Sequence, residues 1–339
     1  MSTARQYILR ARPQGALSDD DLELREVELP ELGANEVRVR TTHISIDPTI
    51  RIWMSDVPQY LPPIELGEVV RAAGAGVVEA SKHPDFAEGD AVFGFCGWQT
   101  RFQGDPQALA LHKLPPGTDP AMAMATTGMT SGMTAYFGLL DVADPQPGET
   151  VVVDAAAGAV GSLVGQIAKI KGCRVIGIAG GPDKCKYIVD ELGFDGAIDY
   201  RNEDVGEALD RLCPEGIDVC FENVGGPIFD AILLRMKLFG RVSLCGLISS
   251  YDAAGTDKKV PGPYAFGMIL MRRLKVQGFI ILDYVSRFEQ AVSEMLGWLN
   301  EGKLRSRVYE IEGFESLPGA LRELVGGRSG NIGKMVVKL

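Results

Sequence analysis

The chain has 339 residues, 46% of them hydrophobic and 23% charged, with a formal net charge of −11. That length favours two domains over a single core, and the acidic balance argues against nucleic acid or an anionic membrane surface as the main partner. No apolar run reaches the ~18 residues of a membrane span, and the opening MSTARQYILRARP carries no apolar signal core, so the cytoplasm is the expected compartment.

Residues from about 5 to 125 read as an all-β region. Glu36 to Arg40, Gly76 to Ala80 and Ala91 to Phe95 have strand character, and Pro/Gly clusters such as Leu61-Pro62-Pro63 and Pro115-Pro116-Gly117 separate such segments. The expected result is a compact, barrel-like domain. The texture then changes. Met122 to Leu140 is rich in Ala, Met, Thr and Gly, runs apolar, and is predicted to be helical.

Val151 to Val153 is a β-branched strand followed by small residues and then an apolar stripe at Val160, Leu163, Val164 and Ile167. Strand, tight turn and helix suit a dinucleotide pyrophosphate, because small residues admit the phosphates and free N–H groups at the helix start face their charge. Gly158 and Gly161 occupy the second and third places of G-x-G-x-x-G, with Ala156 in the first. Alone, the match fits a buried strand and helix joined by a turn equally well.

Strands and helices then alternate. Strands are predicted at Arg174 to Ala179, Gly196 to Tyr200, Ile217 to Glu222, Arg241 to Leu247 and Lys275 to Ile281. Helices are predicted at Asp183 to Leu192, Asp204 to Cys213, Ile228 to Met236 and Tyr284 to Asn300. This alternation implies an α/β domain with a doubly wound parallel sheet. The tail, with strands at Arg307 to Ile311 and Lys334 to Leu339 around a helix at Leu317 to Leu324, could return to complete the first domain.

An acid at the end of the second strand of such a sheet would select NAD through the ribose 2′-hydroxyl. Here that place reads Ala179-Gly180-Gly181, and Lys184 follows. An uncluttered cationic pocket suits a 2′-phosphate and hence NADPH. Lys184 also reads as a solvated residue in a first helical turn. Asn223 follows the fourth strand and Tyr251 the fifth, where a parallel sheet places its ligands. Each also reads as an ordinary loop residue. Six cysteines form no C-x-x-C pair and three histidines do not cluster, so reduced core cysteines are expected and no metal ligands are assigned.

Several stretches together resemble the zinc-free medium-chain dehydrogenase/reductases, in particular the prostaglandin reductase, curcumin reductase and alkenal double-bond reductase group. They are Ser45-Ile46-Asp47-Pro48 with Arg51, Leu66-Gly67-Glu68-Val69, Gly97-Trp98-Gln99, Thr134 to Gly138 and the Asp154 to Ser162 turn. Asn223 to Gly226, Cys245 to Tyr251, Ile311 to Phe314 and Asn331 to Lys334 complete the set, in the family's order.

The resemblance implies a GroES-like β-barrel-type catalytic domain from residues 1–125 and 302–339, with a Rossmann NADPH-binding domain at 126–301. It implies a homodimer joined through its Rossmann sheets. It assigns Gly158, Ala159, Val160 and Gly161 to the cofactor, with Gly181, Lys184 and Tyr200 at the 2′-phosphate end. Asn223, Cys245, Gly246, Ser249 and Tyr251, then Phe279, Ile280 and Ile281, and finally Asn331 complete the cofactor set. Tyr60, Phe95 and Trp98 are expected to line an apolar substrate cleft, although each also reads as core.

The implied reaction is NADPH-dependent reduction of the carbon–carbon double bond of an α,β-unsaturated ketone or aldehyde, with hydride to the β-carbon and a proton to the α-carbon. Tyr251 is the implied catalytic residue, since a phenol of ordinary pKa ~10 is protonated at neutral pH and can donate. The sequence departs from the family pattern at Thr49, where a tyrosine is usual, and at Glu222, where an aspartate is usual. Two other readings remain open: an NADPH quinone reductase of the same superfamily, or a non-catalytic NADPH-binding interaction protein.

Overall fold

The computed structural model describes residues 2–260 and 262–339, leaving Met1 and Pro261 outside it. Strands β1 (Thr3–Leu9) and β2 (Leu22–Glu28) form an antiparallel hairpin. Next come β3 (Val37–Ser45), β4 (Ala73–Ser81), β5 (Ala91–Phe95), β6 (Arg101–Gly104) and β7 (His112–Lys113). A second set follows: β8 (Thr150–Val153), β9 (Arg174–Ala179), β10 (Gly196–Asp199), β11 (Ile217–Glu222), β12 (Met236–Leu244) and β13 (Lys275–Gly278). The chain ends with β14 (Val308–Glu312) and β15 (Lys334–Lys338).

The second set makes a six-stranded sheet, β10-β9-β8-β11-β12-β13, with every neighbouring pair parallel. The order reverses beside β8, so the crevice outside the carboxyl ends of β8 and β11 is a topological switch point. Val151, Val152 and Val153 are wholly buried because β8 is covered on both faces, as its unbroken β-branched run requires. The other large sheet runs β14-β15-β3-β4-β5-β7, with β6 also paired to β3. Strands β14 and β15 therefore return to the N-terminal strands, as expected of the tail. A separate buried cluster fills this half, including Leu9, Val39, Ile44, Trp53, Trp98 and Phe314.

Several predicted boundaries shift. Met122 to Leu140 is not one helix. Pro120–Thr126 is helical, Gly128 is extended at φ −60°, ψ 147°, and wide turns follow at Met129–Met133 and Gly138–Ala143. Thr127 ends the first segment, donating through Oγ1 to the Ala123 carbonyl at 3.2 Å. The helix expected at Ile228 to Met236 is Gly226–Leu233, and Met236 already belongs to β12. Strand β12 stops at Leu244, three residues before the expected Leu247. Strand β13 stops at Gly278, and the expected Tyr284 helix starts at Phe288 after a tighter segment, Ile281–Arg287. Gly138 lies close against the sheet, where a Cβ would meet the Phe221 ring at 2.9 Å.

Candidate active site

The cleft is built around the turn after β8. Its helix, Ala159–Ile170, begins at Gly158, which has extended backbone and no side chain to cap the free N–H groups. Gly161 is required by close approach: a Cβ there would stand 2.5 Å from the Ala155 carbonyl. Asn331 to Lys334 crosses beside this turn. Gly333 donates its N–H to the Ala157 carbonyl at 2.8 Å and pairs in parallel with Gly158.

Two cavities flank the turn, of about 280 Å³ and 480 Å³. Both are bordered by Ala155, Gly158, Ile248, Leu324 and Asn331, so they form one cleft. The larger carries Lys184, Tyr200 and Ser249. Lys184 Nζ donates to the Ser329 carbonyl at 3.0 Å. Burial, and then the nearby Arg201 guanidinium, lower its pKa from the ordinary lysine value. A half-buried ammonium facing a second cation is a site suited to a phosphate. Sequence reasoning passed over Arg201, which reaches this end from the residue after Tyr200 and donates to the Gly327 carbonyl at 2.5 Å. Gly181 itself borders neither cavity; its N–H is held by Asp199 Oδ1 at 2.8 Å, and Gly180 is the residue that faces the cleft.

The smaller cavity brings together Ala159, Val160, Gly161, Asn223, Cys245, Gly246 and Tyr251 with Phe279, Ile280 and Ile281. Tyr251 lies four residues beyond Leu247, whose N–H donates to its phenol oxygen at 3.3 Å. Burial pushes this phenol up to about 12. Gly246 permits the approach, since a Cβ there would be 3.0 Å from the Tyr251 hydroxyl. Burial likewise pushes the Cys245 thiol up to about 12.

Tyr60 lines the same cavity, opposite the family's usual tyrosine position, now Thr49. Its hydroxyl lies 2.9 Å from Thr49 Oγ1 and accepts from Trp53 Nε1 at 3.1 Å. The other two expected cleft aromatics are corrected. Trp98 is fully buried in the N-terminal core, edge-on to Tyr7 at 6.0 Å. Phe95 borders neither cavity, because strand alternation puts it on the face of Ala91 and Phe93, and Phe93 packs toward Ala121 and Met124.

Two buried pairs of ionisable side chains were not foreseen. Lys334 Nζ meets Asp47 Oδ1 at 2.5 Å on the cavity wall, with both side chains almost wholly buried. Asp154 and Glu222 lie at the ends of β8 and β11, and both are completely buried. Among the described residues, no three His, Cys, Asp or Glu side chains are grouped to hold a metal ion, and no helix is long and apolar enough to cross a membrane.

The cleft therefore fits an extended dinucleotide: glycine-lined backbone at its centre, a lysine with no carboxylate partner among the described residues at one end and a largely apolar chamber with a phenol at the other. A domain family described as "N-terminal domain of oxidoreductase" matches residues 5–111, and one described as "Zinc-binding dehydrogenase" matches residues 159–297. The NADPH-dependent curcumin reductase of Escherichia coli K12 is 40% identical over 341 residues, covering 99% of this chain and 96% of that protein. Prostaglandin reductase 1 of Mus musculus is 39% identical with all of both chains covered. The crystal structure of CurA from Vibrio vulnificus in complex with NADPH is 41% identical over 98% of each chain, with a TM-score of 0.90.

Proposed function

The chain belongs to the prostaglandin reductase, curcumin reductase and alkenal double-bond reductase family of zinc-free medium-chain dehydrogenase/reductases, and on that premise we propose how its own residues serve the reaction. The protein is an NADP-dependent oxidoreductase that reduces the carbon–carbon double bond of α,β-unsaturated ketones or aldehydes, with NADPH as cofactor. Bound in the cleft, NADPH supplies a hydride for the β-carbon of the substrate.

The observation that carries our site assignment is the continuity of the two cavities across the Gly158 turn. We assign Lys184 and Tyr200 to the 2′-phosphate and the Gly158–Gly161 backbone to the pyrophosphate. Asn223, the Cys245 to Tyr251 loop, Phe279 to Ile281 and Asn331 are assigned to the remainder. Gly181 is assigned to shaping the turn before Lys184.

At the substrate end, the Tyr251 oxygen accepts the Leu247 N–H, which leaves its own proton for a ligand. As negative charge develops on the substrate oxygen, this neutral phenol donates to it. Tyr60 is our second cleft residue: Trp53 can only donate to it, so Tyr60 keeps a proton to share between Thr49 and the substrate. Phe279, Ile280, Ile281 and Met335 offer the apolar remainder of the substrate its contacts.

NADPH oxidation measured across alkenals, cyclic enones, phenylpropenals and quinones tests this reading. Turnover with enals and enones is expected. Turnover confined to quinones would overturn it, and no turnover with any acceptor would favour a binding protein.

We further propose that residues 1–125 with 302–339 and residues 126–301 act as separate catalytic and cofactor domains. A homodimer is our proposal for the outer edge of β13. That edge has no strand partner among the described residues, and Phe239, Tyr264, Phe266, Leu270 and Met271 stand exposed in the β12–β13 region. Sedimentation should report a dimer for the parent and a monomer for Leu270→Asp. The six unpaired cysteines and the NADPH requirement suit the cytoplasm as its compartment.

A further inference from the structure

Asp154 and Glu222 stand side by side where β8 and β11 end beneath the cleft, and their carboxyl groups share the Val224 N–H. Asp154 Oδ1 accepts the Asn223 N–H at 2.6 Å and its side-chain Nδ2 at 3.3 Å, and Oδ2 accepts the Val224 N–H at 3.2 Å. Glu222 Oε1 accepts the N–H groups of Val224 and Gly225 at 2.7 and 2.5 Å. Glu222 Oε2 receives only the Cys220 thiol, at 4.0 Å.

No lysine, arginine or histidine nitrogen is a hydrogen-bond or ion-pair partner of either carboxyl among the described residues. The titratable groups that face the pair are Cys220 on β11 and Cys245 after β12, and burial keeps both thiols protonated. Two bare carboxylates in contact at this depth would repel each other with no compensating cation. One proton must therefore be shared. Asp154 collects three N–H donors, the environment of an anion. Glu222 Oε2, which receives no N–H donor, is the oxygen placed to carry the proton.

We propose that Glu222 is a neutral acid donating its proton to Asp154, and that this pair positions the cofactor loop Asn223 to Gly226. The loop's N–H groups turn inward to the pair, so its opposite side faces the cleft. Asn223 Nδ2 also donates to the Asp154 carbonyl at 3.0 Å. Its acceptor-only neighbours fix the amide orientation, leaving the Asn223 side-chain oxygen as an acceptor for a cofactor hydroxyl. This rests on the NADPH reading above. Glu222 and Asp154 are positioning residues, because they act only through Asn223.

Glu222→Gln reproduces the neutral acid: its carbonyl accepts from Val224 and Gly225, and its amide donates to Asp154. Glu222→Leu removes the donor. Two measurements on the full chain decide. Infrared difference spectra without cofactor should contain the carbonyl band of a protonated carboxylic acid, shifted in D₂O and lost in Glu222→Gln. NADPH affinity, followed by fluorescence without substrate, should fall for the parent in the alkaline range and stay level for Glu222→Gln, with Glu222→Leu about tenfold weaker at neutral pH.

An acid band that survives in Glu222→Gln, or an alkaline fall that persists in it, overturns the proposal, as does parent-like affinity in Glu222→Leu. Should the leucine variant not fold, the band and the glutamine pH profile still decide. A parent protein that binds no NADPH overturns the cofactor reading instead, and the infrared band then judges the shared proton separately.

Discussion

Arg51 grips Asp252 from the N-terminal side of the cleft: its Nη2 donates to the Asp252 carbonyl at 3.3 Å, and its Nε stands 3.6 Å from the carboxylate. The same guanidinium, wholly buried, also bonds Gly15 at 2.7 Å, Pro13 at 3.3 Å and the Ser55 hydroxyl at 2.6 Å. Asp252 follows Tyr251, so the loop bearing the phenol is tied to a helix of the other sheet. A lysine cannot serve four partners in a plane. Arg51→Lys is expected to lower kcat about tenfold, the cost of one or two such bonds, and to leave KM for NADPH within about threefold. A reversed split, with KM affected and kcat intact, would show that Arg51 does not hold Tyr251.

Tyr251→Phe removes the one phenol whose oxygen is already engaged by Leu247. Loss of a donor to a developing oxyanion costs a factor of about 10² to 10³ in kcat. Because burial pushes the parent phenol up to about 12, kcat should have no descending limb from Tyr251 between neutral pH and the ordinary tyrosine range. Steady-state kinetics across that range check both statements. An unchanged kcat in the phenylalanine variant removes Tyr251 from the chemistry.

Lys184→Ala should weaken NADPH and spare NADH. A charge-assisted hydrogen bond contributes about 1.5–3 kcal/mol, so KM for NADPH is expected to rise roughly 10- to 100-fold. Comparing both cofactors in parent and variant decides the matter. Equal use of the two by the parent would refute the 2′-phosphate assignment.

The substrates are electrophiles, and Cys245 borders the chamber that receives them. A thiolate could add to the β-carbon of an enone, with a proton passing to the α-carbon. At a pKa of about 12 the thiolate fraction near pH 7 is only ~10⁻⁵. Intact-mass measurement after incubation with a simple enone, without NADPH, should find Cys245 unmodified. An adduct there would show that the thiol is reactive in the folded protein despite its raised pKa.

The shared proton also has a signature in stability. Glu222 is held well above the ordinary glutamate range by burial and by Asp154. Above that ordinary range, and below the raised value, the folded state binds a proton that the unfolded chain has released. Stability then falls as pH rises, by about 1.4 kcal/mol per unit for one proton. Urea titrations at several pH values should give the parent this extra downward slope relative to Glu222→Gln. Parallel slopes would mean that Glu222 is ionised in the folded protein.

How much of this was legible beforehand depended on range. Strands β5, β9 and β11 have the predicted limits, because β-branched runs bounded by turn residues are local signals. The Met122 to Leu140 prediction failed because the chain turns out of helix at Gly128, whose extended backbone interrupts an apolar composition that reads as one helix. Trp98 reads equally as cleft or core, and only the closed N-terminal sheet decides between them. The Asp154–Glu222 pair joins residues 68 apart, and no periodicity marks a pairing made by strand order. Arg201 was passed over for a similar reason: Gly327, which it reaches, lies 126 residues away.

Strand β15 lies between β14 and β3 rather than at a sheet edge. During synthesis the N-terminal sheet must therefore wait, one interior strand short, until Lys334–Lys338 has cleared the ribosome. The six-stranded sheet has its last strand at Gly278 and its core is completed by Ala291, Met295 and Leu304, so it can assemble while the chain is still growing. The nucleotide-binding half is thus available early as a template, and the hydrogen bond from Gly333 to Ala157 forms in the same movement that closes the other half.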